Sequence, residues 1–243
     1  MYHPFSVLET IKVSWDIFKK NAATIIVYSV VSFILLAVLT VLVQFIFLPE
    51  EFVAKMMVYL FLIFTQAYTT LGLYKLIFTV IDSELYEFEF KQILPGIKMI
   101  FSYLAVIFLL AFIITNFNII VERLLGDYPN IQHLIKTVLV IIALYLFLRI
   151  IFFNTFIVDD GSGPLESLKQ SYDLTKGYFF KILIILIIII LFIALPAKLS
   201  EYFPFSSLII ILTYPFVNII LAVTYRKLVY SHKDVDEDLT ETL

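Results

Sequence analysis

The stretch KILIILIIIILFIALP, from Lys181 to Pro196, decides the fold. Between Ile182 and Ile193 it is almost all Ile, Leu and Phe. In water such a β-branched run reads as a buried strand. In hydrocarbon no water satisfies exposed backbone groups, so only helices and closed barrels span a bilayer. A barrel strand alternates apolar and polar residues at period two, and this run does not. It predicts a membrane helix.

Working outward, the same test finds five more runs. About 20 mainly apolar residues cross about 30 Å of hydrocarbon. The qualifying stretches are residues 22–47, 54–80, 99–121, 134–157, 178–197 and 206–229. The whole chain agrees: of 243 residues, 62% are hydrophobic and 15% charged, with mean hydropathy +1.01. Soluble domains are about 45–50% apolar and about 25% charged, and they rarely expose large apolar patches. The expected fold is an all-α, polytopic helical membrane bundle of about six spans. A soluble enzyme, a nucleic-acid-binding domain and a disordered chain are excluded. The net charge of −3 also gives no polycationic surface for nucleic acid.

Six crossings place both termini on one side, and Lys and Arg near the span ends indicate which. Lys12, Lys19, Lys20, Lys91, Lys98, Lys169, Lys176, Lys181, Arg226, Lys227 and Lys233 fall on the N-terminal side. Lys55, Arg123, Lys136 and Lys198 fall on the other. This asymmetry predicts cytoplasmic termini in a cell (inner, cytoplasmic) membrane. Charge is spread through the first 20 residues and the apolar run after them is long, so they do not read as a cleavable signal. Residues 1–231 form one integral membrane domain. The acidic tail DVDEDLTETL, within residues 232–243, reads as disordered. The outer loops, around Pro49–Phe52, Glu122–Gln132 and Pro196–Pro204, are short.

Two segments repeat. LETIKVSWDIFKKN, Leu8 to Asn21, matches LESLKQSYDLTKGY, Leu165 to Tyr178, at an offset of 157. Identities include Leu8/Leu165, Glu9/Glu166, Lys12/Lys169, Ser14/Ser171, Asp16/Asp173 and Lys19/Lys176, and Trp15/Tyr172 is a close exchange. FEFKQILPGIKMIFSY, from Phe88, reads as a third, weaker copy. The expected architecture is three units, each an interfacial helix (near 5–20, 88–98 and 164–176) followed by two spans. Phe5, Leu8, Ile11, Trp15 and Phe18 recur every three or four residues and share one face, as do Leu165, Leu168 and Tyr172. Glu9–Lys12, Asp16–Lys19, Glu166–Lys169 and Asp173–Lys176 are spaced for i,i+3 pairing. Pro164 opens the second helix and Gly177 follows it. Two placements are open: the apolar stripe in the headgroup plane with its aromatic residue at the interface, or the stripe packed on the inner ends of the spans.

The run RIIFFNTFIVDDGSGPLESLKQSYDLTKGYFFK, Arg149 to Lys181, resembles bacterial multi-pass proteins of the YciC-like type. It is also similar to the membrane domain fused to some glycerophosphodiester phosphodiesterases. The shared elements are an Arg-bearing span, an acidic-Gly turn, a Pro-led helix with a Ser, and a Lys-Gly before the next span. Here they are Arg149, Asp159-Asp160-Gly161, Pro164, Ser171 and Leu174-Thr175-Lys176-Gly177. The resemblance implies a six-span inner-membrane protein with no established activity. The phosphodiesterase domain has no counterpart here.

Catalytic and metal chemistry find little support. There is no cysteine, hence no thiolate, disulfide or Cys-based metal site. His3, His133 and His232 lack metal-site spacing, and no Walker A loop, GxSxG or HExxH occurs. No cofactor is called for.

Arg149 lies ten residues, or about 15 Å, before Asp159. A charge at the bilayer centre costs about 2.5–3.5 kcal/mol or more, so Arg149 faces the bundle or a wet cavity. Candidate partners are Asn116, Asn118, Asn154, Asn218 and span-end carbonyls. Two readings stand: an anion or lipid-headgroup site, and a structural arginine tying helices. Lys75 either snorkels to the interface or lines a site with Arg149. Thr65, Gln66, Thr69 and Thr70, with the asparagines, either line a polar path or join helices by hydrogen bonds. Pro215 is placed to kink the sixth span before Asn218.

The favoured function is a non-enzymatic scaffold or accessory protein that organises lipids or partners at the cytoplasmic face. It would use the interfacial residues Trp15, Tyr172, Lys12, Lys169, Lys19 and Lys176. Membrane lipids are the expected partners, with a protein partner or a second copy also open. The alternative is a small transporter or channel for an anionic solute or lipid, built on Arg149 and Lys75.

Overall fold

The structure, a computed structural model, describes residues 5–46, 52–82 and 90–241. Every regular element among them is helical. A short helix α1 (Val7–Lys20) leads through Asn21 into the long α2 (Ala22–Ile46). Then follow α3 (Phe52–Asp82), a single turn α4 (Phe90–Ile93), α5 (Ile97–Leu125) and α6 (Pro129–Ile150). After a break come α7 (Phe153–Asp159), α8 (Pro164–Leu174) and α9 (Phe179–Leu199). A 3-10 turn (Pro204–Ile209) opens the last helix, α10 (Ile210–Glu241).

Five segments are long and apolar enough to cross a membrane: Ala22–Val43, Lys55–Asp82, Lys91–Leu125, Pro129–Asp159 and Phe179–Leu199. The protein is therefore a multi-pass helical membrane protein. The sixth expected span, residues 206–229, differs in character. Pro215, Asn218, Arg226 and Lys227 dilute its apolar run, and packing compensates. Phe216, Val217, Ile219, Ile220, Ala222, Val223, Tyr225 and Leu228 of α10 are all buried, making it the central helix of the bundle.

The core occupies one half of the molecule. It gathers Leu71–Phe78 of α3, Leu148–Val158 of α6 and α7, Ile182–Ile189 of α9 and Phe216–Leu228 of α10. Beyond it, apolar side chains such as Phe112, Ile120, Val140 and Ile141 are exposed. In a bilayer that surface meets acyl chains, which are as apolar as the side chains themselves.

Polar contacts fasten the packed end. Arg226 of α10 reaches Asp82 at the end of α3 (2.5 Å) and Asp159 at the end of α7 (3.0 Å). The Tyr225 hydroxyl donates to the same Asp159 oxygen at 2.9 Å. Lys227 pairs with Glu9 at 2.8 Å, joining α10 to α1. Lys181, at the start of α9, donates to the Phe5 carbonyl at 2.6 Å. The ends of α3 and α7 thus meet the middle of α10 at one end of the packed core, together with α1 and the start of α9.

Several boundaries differ from expectation. The third interfacial helix, expected over 88–98, is only the turn Phe90–Ile93, because Pro95 and Gly96 interrupt it before α5. Residues 88–89 lie outside the described residues. The fourth span, expected as one helix over 134–157, breaks between Ile150 and Phe153. The loop expected at Glu122–Gln132 shrinks to residues 126–128, and Pro196 falls inside α9. The tail expected to be disordered continues α10 as far as Glu241. No Gly or Pro follows Pro215 to stop that helix. The expected loop around Pro49 lies outside the described residues, apart from Phe52 at the start of α3.

Candidate functional site

Arg149 stands at the end of α6, where the chain breaks before α7. A break leaves backbone groups without helical partners, and α8 supplies them. The Ser171 hydroxyl accepts the Phe152 N–H at 3.0 Å and donates to the Arg149 carbonyl at 3.1 Å. The single Thr175 hydroxyl proton is shared between the same carbonyl at 3.2 Å and the Tyr172 carbonyl at 3.0 Å. The break is thus clamped from above, and the backbone of Arg149 is fixed.

Its side chain is 6% exposed. The guanidinium lies over the Tyr172 ring, 4.1 Å from its centroid, in cation–π stacking. The Nε is buried and makes no hydrogen bond. Among the described residues, no carboxylate lies within salt-bridge distance of it. Lys169, one helical turn before Tyr172, and Lys176, just past the end of α8, are exposed.

The two similar segments are buried alike. Thr10 and Ser14 of α1 are fully buried, as are their counterparts Ser167 and Ser171 of α8. Leu8 and Leu165 are 78% and 71% exposed, and Trp15 and Tyr172 are 47% and 42% exposed. In each helix the small hydroxyl face packs inward and an aliphatic–aromatic edge faces out. The two placements open for the apolar stripe are therefore divided along it. Phe5 and Phe18 are buried and Ile11 half-buried, and Trp15 and Phe18 each touch Phe216 of α10 with ring centroids at 5.6 Å. Along the outer edge Leu8 and Leu165 stay exposed, while Trp15 and Tyr172 each keep one side exposed and rest the other on Phe216 and Arg149.

Of the expected i,i+3 pairs, Asp16–Lys19 forms at 3.2 Å, and Lys19 lies near the Trp15 ring. Glu9 turns to Lys227 instead. Glu166 accepts the Gly163 N–H, closing the start of α8. Lys12 is exposed.

The candidate lining residues do not assemble around Arg149. Lys75 donates to the Leu94 carbonyl at 2.9 Å, fastening α3 to the end of the α4 turn. Asn116 and Asn118 each bond a carbonyl of their own helix, Phe112 and Ile114, on the outer part of α5. Asn218, buried in α10, bonds the Tyr214 carbonyl. Asn154 of α7 keeps a buried Oδ1 without a partner. Asn116, Asn118 and Asn218 answer to their own helices because an amide in hydrocarbon takes the nearest carbonyl.

The polar cluster of α3 lies elsewhere. Gln66, Thr69 and Thr70 line a cavity of about 180 Å³ with Tyr28, Ser29 and Ser32 of α2 and Tyr214 of α10. Thr65 is buried and bonds the Phe61 carbonyl. The cavity lining includes none of Arg149, Lys75, Asn116, Asn118, Asn154 or Asn218.

The sequence reading missed the Arg226–Asp82–Asp159–Tyr225 cluster. One signal was available: an acidic residue ends each of the second and fourth spans, and a basic one ends the sixth. Among the described residues, no group of three or more His, Asp or Glu is placed to hold a metal ion. Comparison of the chain with protein-family models, with characterised proteins and with solved structures finds no match.

Proposed function

We propose that this is a non-enzymatic protein of the cytoplasmic membrane that organises lipids or partner proteins at the cytoplasmic face. The observation carrying this reading is the matched exposure of Leu8 and Trp15 on α1 and of Leu165 and Tyr172 on α8. An aliphatic–aromatic edge on a short helix, flanked by Lys12, Lys19, Lys169 and Lys176, suits the zone between headgroups and acyl chains. The buried hydroxyl faces anchor both helices to the bundle, so their outer edges are held at a fixed height. The excess of Lys and Arg on that side supports cytoplasmic termini. The resemblance of Arg149–Lys181 to YciC-like proteins belongs to the same reading, as do the helix–span–span units that α1 and α8 open. The exposed α5–α6 hairpin leaves surface for a second copy or another membrane protein.

Trp15 is the single tryptophan, which gives a direct test. In vesicles containing lipids brominated at shallow or deep chain positions, Trp15 fluorescence is expected to be quenched most by the shallow bromines. Quenching by neither set would remove α1 from the membrane surface and overturn the reading.

A further inference from the structure

Arg149 is a buried cation without an anion among the described residues. A buried lysine or histidine relieves such a position by losing its proton, but a guanidinium stays charged at every physiological pH. Stacking on Tyr172 at 4.1 Å shields one face and supplies no negative charge. The Ser171 and Thr175 hydroxyls, spent on the Arg149 carbonyl, hold the residue in place without touching its charge. The planar, preorganised donor array matches the oxygens of a phosphate, which it can bind through two parallel hydrogen bonds. Lys169 and Lys176, about one turn before and after Tyr172, are exposed and carry positive charge on the same side of α8, each with an acidic neighbour three residues before it, Glu166 and Asp173. The apolar Leu165 beside them is 71% exposed.

We infer that Arg149, backed by Tyr172 and flanked by Lys169 and Lys176, is a binding site for a phosphate group. Two sources carry that chemistry, the headgroup phosphate of a membrane lipid and free inorganic phosphate. The inference does not rest on the organising role proposed above, because the site is defined by Arg149 and its neighbours and is testable in detergent.

The experiment is thermal unfolding of the purified full chain in a phosphate-free maltoside detergent. Three probes are titrated: dioctanoyl phosphatidylglycerol, dioctanoylglycerol (the same chains without phosphate) and inorganic phosphate. Phosphatidylglycerol at a hundredfold excess over its Kd is expected to raise the Tm by about 5–10 °C, and dioctanoylglycerol is expected to leave it unchanged. A comparable rise with inorganic phosphate identifies a free-anion site. A rise with the phospholipid alone identifies a headgroup site.

Arg149→Gln is expected to abolish the rise while melting no lower than the parent in probe-free detergent, since it removes an unpaired charge. The surface double variant Lys169→Gln/Lys176→Gln, which disturbs no packing, is expected to weaken binding about tenfold or more. The inference is overturned if neither phosphate probe shifts the Tm. It is equally overturned if dioctanoylglycerol shifts it as much, or if both variants respond like the parent. An Arg149→Gln protein that melts well below the parent and still binds would make Arg149 a helix tie.

Discussion

Two serines at equivalent places in similar segments do different work. Among the described residues, Ser14 bonds only the Thr10 carbonyl within its own helix, at 2.7 Å. Ser171 joins two elements by serving the Phe152 N–H and the Arg149 carbonyl. Removing a hydroxyl that satisfies a buried N–H leaves that donor bare and costs about 1–3 kcal/mol. Ser171→Ala is therefore expected to destabilise the protein by that amount and Ser14→Ala by less than about 1 kcal/mol. Denaturation in detergent of both variants measures the difference, and equal losses would mean that the clamp on the α6–α7 break is unimportant.

Gly72 makes a second prediction at this scale. A Cβ there would overlap the Tyr28 hydroxyl and stand 3.3 Å from the Ile93 carbonyl. That hydroxyl donates to the Thr69 carbonyl at 2.9 Å, so α2 and α3 meet through a gap that only glycine leaves open. Gly72→Ala is expected to cost about 1–3 kcal/mol. Adding Tyr28→Phe, which removes the colliding oxygen, is expected to recover part of it, seen as a favourable coupling in a double-mutant cycle.

Between elements, the Arg226 cluster decides how the ends of α3 and α7 meet the middle of α10. Asp159 is mostly buried and also accepts the Tyr225 hydroxyl, whereas the Asp82 side chain is half exposed. An exposed ion pair contributes about 0–1 kcal/mol, and breaking a desolvated one costs several times more. Asp159→Asn is expected to lower the Tm clearly and Asp82→Asn only slightly. The reverse order would place the weight of the junction on α3 instead of α7. The elements themselves were readable to differing degrees. Helix α8 was legible because Pro164 and Gly177 punctuate it, and Gly177 takes a left-handed φ of 85°. The break at Ile151–Phe152 was not, because no Pro or Gly marks it. Its partner groups come from Ser171 and Thr175, 19 and 26 residues later in the chain.

At the scale of the whole molecule, the contacts at the packed end pair with the charge asymmetry to give a sidedness that chemistry can test. The chain has no cysteine, so single cysteines report position without background. Lys12→Cys and Lys176→Cys are expected to react with a membrane-impermeant maleimide only after the membrane is opened. Lys136→Cys, on α6 beside Glu122 of α5 near the opposite turn, is expected to react in intact cells. Labelling of all three from one side would refute the topology.

By itself the sequence determined the solvent, the helical class, five of the spans and the two amphipathic helices. Those properties follow from apolar run length and local periodicity, which need no knowledge of distant residues. It also marked Arg149 as costly, because a charge inside an apolar run is visible locally. Only the tertiary structure decided which face of α1 and α8 turns inward, that Lys75 answers to Leu94, and that Arg226 gathers Asp82 and Asp159. It also separated the Thr and Gln cluster of α3 from Arg149. In hydrocarbon every polar side chain takes whichever donor or acceptor packing brings near, and that neighbour is fixed by how the helices cross, a property absent from any single helix.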